Sequence, residues 1–375
     1  MKLILNIFLC FLFVSSTQAG DFKIKSRLYI DADAIGPYYQ KNSDEQTSIK
    51  NNIEIGSIKS SIKYKFTSNI SSKVQVEFKK EEKDDYKNEF SLKDIFIKLK
   101  TGKSSLILGR FKEAMGHEEL MGSSDLPTIE RSLVSSIFSP GRNTGIMFNT
   151  DFKHSTFHIG AFQLKDDDIE SGSSVTSRLT HGLSLLNHEN IFHLGASYSY
   201  RDLDDSLFQI KNRGEVNSAD NIIRSSRFYA KDQNIIQAEI GTIYKNIWFM
   251  AELYSTQIEQ TNGRSWQYQG FYLQTSGLLS KNPFDSASSY KYKNGEFKPT
   301  NREAGNIEWV IRYSGVSVRD YAIGSEASSL LLGINYYLNQ DTSFMFDYLK
   351  PSISGNVVNT NQTGQAISMR FKYLF

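Results

Sequence analysis

The stretch "FKIKSRLYIDADA" (residues 22–34) decides how this chain is to be read. Phe22, Ile24, Leu28 and Ile30 share one parity, and Lys23, Lys25, Arg27, Asp31 and Asp33 share the other. Successive side chains of an extended strand point to opposite faces, so this segment predicts a strand with one apolar and one charged face. "SIKSSIKYKF" (residues 57–66) repeats the pattern, with Ile58, Ile62, Tyr64 and Phe66 opposed to Lys59, Ser61, Lys63 and Lys65. Working outward, "SKVQVEFKK", "LKDIFIKLK", "NIIQAEIGTIY", "SLLLGINYYLN" and "TSFMFDYL" continue it less strictly. Outside the first residues and one stretch near 126–148, no apolar period of 3.6 residues survives over a helix-length window.

The connections alternate in length. "TGKS" (residues 101–104), "NHEN" around His188, Lys245-Asn246 and "NQD" (residues 339–341) are tight links rich in turn-forming residues. Long loops are expected near 35–48, 81–89, 112–142, 165–174 and 202–233, and about 16 strands result. Short turns on one side, long loops on the other and an even strand count describe an outer-membrane barrel. One long segment, about 277–305, falls on the short-turn side and breaks the rule. The fold class expected is all-β, a 16-stranded antiparallel transmembrane β-barrel with inward-folded loops. A soluble β-sandwich also alternates, but its strands are short, and these often reach the ~10 residues needed to cross a bilayer at a tilt.

Composition agrees. Tyr 20 and Phe 25 stand against Pro 6, which suits long hydrogen-bonded strands. The net charge of +2 gives no bulk electrostatic reason for binding nucleic acid. Mean hydropathy is −0.40, which excludes a helical membrane protein but not a barrel with a polar lumen. The opening "MKLILNIFLCFLFVSSTQA" has a lysine, a short apolar run and a small-residue end at Ala19. That predicts a signal peptide over 1–19 and a mature barrel over 20–375, since a spanning helix needs ~20 apolar residues. Cys10, the one cysteine, lies in that leader. The final "QAISMRFKYLF" puts Ile367, Met369, Phe371, Tyr373 and Phe375 on one face. A last strand ending in Phe resembles the signature by which bacterial outer-membrane barrels are recognised by their assembly machinery.

Sites for catalysis are scarce. His154 and His158 would lie about 13 Å apart along a strand at ~3.3 Å per residue, too far to share a metal. "GHEEL" (residues 116–120) lacks the second histidine of a zincin. "KDDDIE" (residues 165–170) reads as a solvated acidic loop, with a cation bridging lipopolysaccharide as the other reading. No phosphate-cradling glycine loop or serine elbow is present, so no enzyme and no cofactor is expected. What remains is a polar lumen, narrowed by whatever folds into it. The loop at 112–142 carries Lys112, Arg131 and Arg142 beside Glu113, Glu118, Glu119 and Glu130, and its Leu133 and Phe138 need a wall to pack on.

"LGRFKEAMGHEELMGSSDLPTIERSLVSSIFSPGRNTGIMF" (residues 108–148) resembles the phosphate-selective porin O/P family of bacterial outer membranes. "YKYKNGEFKP", "EWVIRYS" and "LLGINYYLNQDTSFMFDYLK" resemble its second half, and the likeness runs through nearly the whole mature chain. The resemblance implies a homotrimeric porin in the outer membrane, in contact with its lipid and lipopolysaccharide. It implies that the third and fifth external loops and a long periplasmic turn fold into the pore, here about 112–142, 202–233 and 277–305. It implies a ladder of basic residues drawing small anions such as phosphate or polyphosphate. Arg131, Arg142, Arg224, Arg227, Lys59 and Lys112 are the candidate lumen charges, with Asp94 tempering them. Two departures stand out. In the fifth loop "NIIRSSRFYAKD" (residues 221–232) keeps Arg224 and Arg227, a thinned ladder, and "IEIGSIKSSIK" (residues 53–63) places Gly56 and Ser57 where the family's second strand has arginines. These leave a general porin compatible with the residues. A structural or adhesive barrel with a plugged lumen is the alternative from another class.

Overall fold

A computed structural model describes residues 21–35, 39–40, 50–81, 87–164, 172–185, 190–219, 221–279, 285–355 and 362–375. The expected leader, the acidic run at 165–170 and the turn at His188 lie outside the described residues. Sixteen long strands run antiparallel: β1 (Asp21–Ile35), β2 (Lys50–Lys65), β3 (Ile70–Glu81), β4 (Lys87–Thr101), β5 (Ser104–Lys112), β6 (Arg142–Phe152), β7 (Ser155–Gln163) and β8 (Ser173–Leu185), then β9 (Asn190–Phe208), β10 (Phe228–Tyr244), β11 (Ile247–Gln260), β12 (Ser265–Leu278), β13 (Ile307–Asp320), β14 (Ile323–Tyr337), β15 (Thr342–Gly355) and β16 (Ala366–Leu374). Each pairs with its sequence neighbours, and β16 pairs with β1 from Arg27↔Leu374 to Ile35↔Ala366, so the sheet closes. Closure leaves no free edge, the condition for strands in hydrocarbon.

The alternation read from sequence sorts the two faces. Ile236, Leu253, Ile334 and Phe344 are exposed on the outside, whereas Gln237, Glu252, Asn335 and Ser343 are buried inside. So much exposed apolar surface on a folded chain requires an apolar medium around it. No helix among the described residues is long and apolar enough to cross a membrane, which says nothing about strands. Taking short turns as periplasmic and long loops as extracellular, residues 113–141 form the third external loop and residues 209–227 the fifth. The fifth is shorter than the sequence suggested, because β9 runs on to Phe208 and β10 starts at Phe228.

The third and fifth loops and the long periplasmic turn fill part of the lumen, as the resemblance implied; Glu215 of the fifth loop accepts from Leu133 N–H of the third at 2.8 Å. The third loop carries helices α1 (His117–Leu120) and α2 (Leu133–Phe138). α2 starts at Ser132, whose side chain accepts from Ser135 N–H, a cap worth about 1 kcal/mol. It ends at Ser139, ahead of Pro140 and Gly141. Leu133, Val134 and Phe138 are buried against the wall around β11–β13, each worth about 1.5–3 kcal/mol. The long periplasmic turn enters as a hairpin pairing Ser288–Lys291 with Glu296–Pro299. Its Phe297 reaches the third loop, where its N–H donates to His117 Nε2 at 2.9 Å. Gly295 adopts φ +59° at the hairpin tip, and a Cβ there would stand 1.9 Å from Thr180 Oγ1, so only glycine fits.

Candidate functional site

The main apolar core of the packed segments lies against β9–β15. On the other side, β1–β5 present basic side chains to the lumen. Lys59 of β2 lies beside Arg27 of β1 and Glu77 of β3, its direct cross-strand partners. Its Nζ is 2.6 Å from Glu77, which also holds Lys93 at 2.9 Å. Asp94 of β4 is held by Lys73 and by Arg142, whose Nε is 2.7 Å away. Glu119 of the third loop is held by Lys112 and Arg131, each at 3.1 Å. Three carboxylates thus sit between six cations, two apiece.

Arg27 adds a seventh cation, with no carboxylate partner among the described residues. It lies 5.3 Å from the centroid of the Tyr29 ring, and its Nε has no hydrogen-bond partner among the described residues. Arg131 and Arg142 are its electrostatic neighbours. The cluster is wet: side-chain exposure is 18% for Lys59, 24% for Arg142 and 31% for Lys93. An excess of positive charge on a low-dielectric wall focuses field into the water beside it.

The third loop's other acids point elsewhere. Glu113 accepts from Asn143 (2.7 Å), Ser174 (3.2 Å), Thr176 and Arg201 (3.0 Å). Glu118 accepts from Ser132 N–H and Oγ and from Arg312 at 3.0 Å, while its own N–H donates to Glu252 at 2.6 Å. Glu130 meets Arg370 at 3.0 Å. These acids anchor the loop to the wall, so the loop turns Lys112 and Arg131 toward the basic side. Arg131 also donates to the carbonyls of Glu118, Glu119 and Met121. It is a clip within the loop as well as a lumen charge. Burial would raise the Glu119 carboxyl, but the charges of Arg131 and Lys112 outweigh it and hold it below its ordinary value. His117 is buried entirely, which pushes its imidazole down to about 3 and keeps it neutral.

Five of the seven residues expected from sequence are therefore brought together: Lys59, Lys112, Arg131, Arg142 and Asp94. Arg224 and Arg227 stand apart, exposed on the fifth loop near the external mouth. Arg224 N–H donates to Ser325 at the start of β14, and its Nε to the carbonyl of Asn221. Arg27, Lys73, Lys93 and Glu77 were missed. Parity alone had already put Arg27 on the polar face of β1. Lys93 was hidden, because a register shift between β3 and β4 inserts it beside Asp94 so that both reach lumen partners. Gly56 has a local cause: a Cβ there would stand 1.9 Å from Asp31 Oδ2, at a register shift between β1 and β2. Asp31 is engaged by Arg370 of β16 through two bonds of 2.6 and 2.7 Å. His158 bonds Asn149 at 2.8 Å, and the His154 ring lies 5.0 Å from that of Tyr292. Among the described residues no group of three or more His, Cys, Asp or Glu could hold a metal ion.

A closed 16-stranded barrel with an apolar girdle, a lumen narrowed by its own loops and a wet basic wall defines a porin-type channel protein. The family described as phosphate-selective porin O and P matches residues 22–375, and the chain belongs to it. It is 24% identical over 314 residues to Porin O of Pseudomonas aeruginosa, spanning 72% of this chain and 70% of that protein. Among solved structures, the anion-selective porin from Comamonas acidovorans superposes with a TM-score of 0.57 at 10% identity, covering 95% of this chain and 100% of that one. The outer membrane channel DcaP of Acinetobacter baumannii gives 0.58 at 10% identity, over 96% and 99%. The trimer form of OmpT from Vibrio cholerae gives 0.57 at 9% identity, over 96% and 100%. At these identities the solved structures share the fold. The protein is an integral β-barrel of the bacterial outer membrane and a porin.

Proposed function

We propose that this porin is a water-filled, non-enzymatic channel for passive diffusion of small anions, with phosphate or polyphosphate as the family's class of solute. The observation that carries the reading is the imbalance on the β1–β5 wall, where, among the described residues, Arg27, Lys59, Lys73, Lys93, Lys112, Arg131 and Arg142 share three carboxylates, Glu77, Asp94 and Glu119. Cations already shared with a carboxylate bind a passing anion weakly, and weak binding at several sites lets an ion leave as well as enter. The Arg27 and Arg142 guanidinium groups supply planar forks suited to a phosphate oxygen pair. The wet wall favours a channel over a plugged surface barrel. A leader over 1–19, delivery by the outer-membrane assembly machinery, contact with lipopolysaccharide and a homotrimer complete the proposal. The last is supported by the trimer form of the Vibrio cholerae neighbour.

Conductance in planar bilayers tests it. Stable ohmic steps, often in threes, are expected, with a reversal potential in a salt gradient on the anion side and block of chloride current by added phosphate. A cation-side reversal ends the anion reading. Absence of phosphate block restricts the channel to general anions.

A further inference from the structure

We infer that the external mouth holds an aromatic station that captures anions bearing a flat ring, ahead of the basic wall. The inference rests on the anion reading above and narrows its solute class. Phe208, the last residue of β9, and Phe228, the first of β10, are cross-strand partners with ring centroids 5.5 Å apart. Phe228 stacks on Trp266 of β12 at 5.4 Å with the rings 7° from parallel. Trp266 meets Tyr321, in the turn after β13, edge-on at 6.1 Å. Trp266 shares the parity of Tyr268 and Tyr272, which are buried inside the barrel, so it lies on the lumen side. Phe208, Phe228 and Trp266 are only half-buried against the core, and Tyr321 is 78% exposed. Three of the rings thus pack on the core by one side and keep another toward water at the external end of the lumen.

Charge complementarity selects the occupant. Arg227 directly precedes Phe228, Arg264 lies two residues before Trp266, and all three guanidiniums of Arg224, Arg227 and Arg264 are exposed. None has a carboxylate partner among the described residues. The bond from Arg224 N–H to Ser325 brings it to the strand that follows Tyr321. The nearby carboxylate of Asp320 is taken up by the N–H groups of Gln267 and Tyr321. Rings that stack and cations that pair with an oxyanion together recognise an aryl or nucleoside phosphate better than the inorganic ion.

The test compares block of chloride current by phenyl phosphate and by inorganic phosphate, each added to either compartment of a planar bilayer. Phenyl phosphate is expected to reach half-block at about tenfold lower concentration, from one side only, the size of one stacking contact. In Trp266→Leu and in Phe228→Leu that ratio is expected to fall toward one, while Trp266→Tyr keeps most of it. Equal block by the two ions in the unaltered protein overturns the inference, as does a ratio that survives both leucine variants. The reversal potential of the unaltered protein reports separately on the anion reading, so the two failures are distinguishable.

Discussion

The two sides of the lumen use the same residue types to opposite ends. On the packed side, Arg312 is fully buried between Glu118 (3.0 Å) and Glu215 (3.4 Å), and Arg178 is 1% exposed against Glu239 at 2.5 Å. There, carboxylates match or exceed the cations, and Arg312 donates further to Thr128 and to the carbonyl of Glu130. On the wet side, cations outnumber carboxylates and keep part of their surface in water. A buried ion pair must be complete to be tolerated. A solvated one can be left unbalanced at little cost, because water screens the excess. The packed side therefore sets shape and the wet side sets selectivity.

Removing a cation from each side breaks or sharpens this division. Arg312→Met should have the largest effect, since it strands Glu118 and Glu215 in the interior at a cost of about 3–5 kcal/mol. Thermal unfolding of the detergent-solubilised protein should shift down markedly. Single-channel conductance should rise as the third loop loosens. Unchanged conductance and stability would mean that the loop is held by its apolar face alone.

Arg27→Gln should do the reverse, leaving unfolding nearly unchanged. The anion-to-cation permeability ratio should drop about fivefold, the factor that ~1 kcal/mol of one unit charge in a water-like medium makes. A reversal potential that does not move would remove Arg27 from the pathway. Glu77→Gln should have a smaller effect of opposite sign, by freeing Lys59 and Lys93 from their shared carboxylate. The gain in anion preference should be about two- to threefold at low salt and fade near 1 M, where the screening length is about 3 Å.

The last expected effect is on the pH dependence of stability. The folded-state pKa of His117 is lowered to about 3, against an ordinary value of 6.5. Between those values the unfolded chain binds a proton that the folded one excludes, so stability rises with pH across that window. It is fully present above about 6.5 and declines as pH falls toward 3. His117→Gln, which keeps an acceptor for Phe297 N–H, should flatten that slope by up to one proton in acid-titrated unfolding curves. An unaltered slope would place the titration elsewhere.

Much of the barrel was legible because its physics is local. A strand in hydrocarbon must alternate, and Phe22 to Asp33 already declare which parity meets lipid. Parity also put Lys59 on the polar face of its strand, whereas Asp94 came from the family resemblance; the structure sets both beside charged partners of the β1–β5 wall. Parity failed where local periodicity breaks, as at Lys93, which a bulge turns to the same side as Asp94. Loops carry no period at all. Nothing in the order of Glu113, Glu118, Glu119 and Glu130 says that three of them anchor to Arg201, Arg312 and Arg370 while Glu119 alone sits among the lumen cations. Those partners lie up to 240 residues away along the chain. The stretch at 126–148 lost its alternation for the same reason. It is a loop and helix packed on a wall, with a strand resuming at Arg142.

Arg370 has a consequence for how the cylinder is completed. It sits on the last strand, bonds Asp31 of the first, and donates across to the carbonyl of Ile129 at 2.5 Å and to Glu130. One guanidinium therefore spans the seam and the loop together. A cylinder zipped shut before its third loop is inside would leave that cation short of two acceptors beside the ring of Tyr29. Joining the two ends of the sheet and swallowing the loop are thus thermodynamically coupled, and the seam is most secure only around a correctly filled interior.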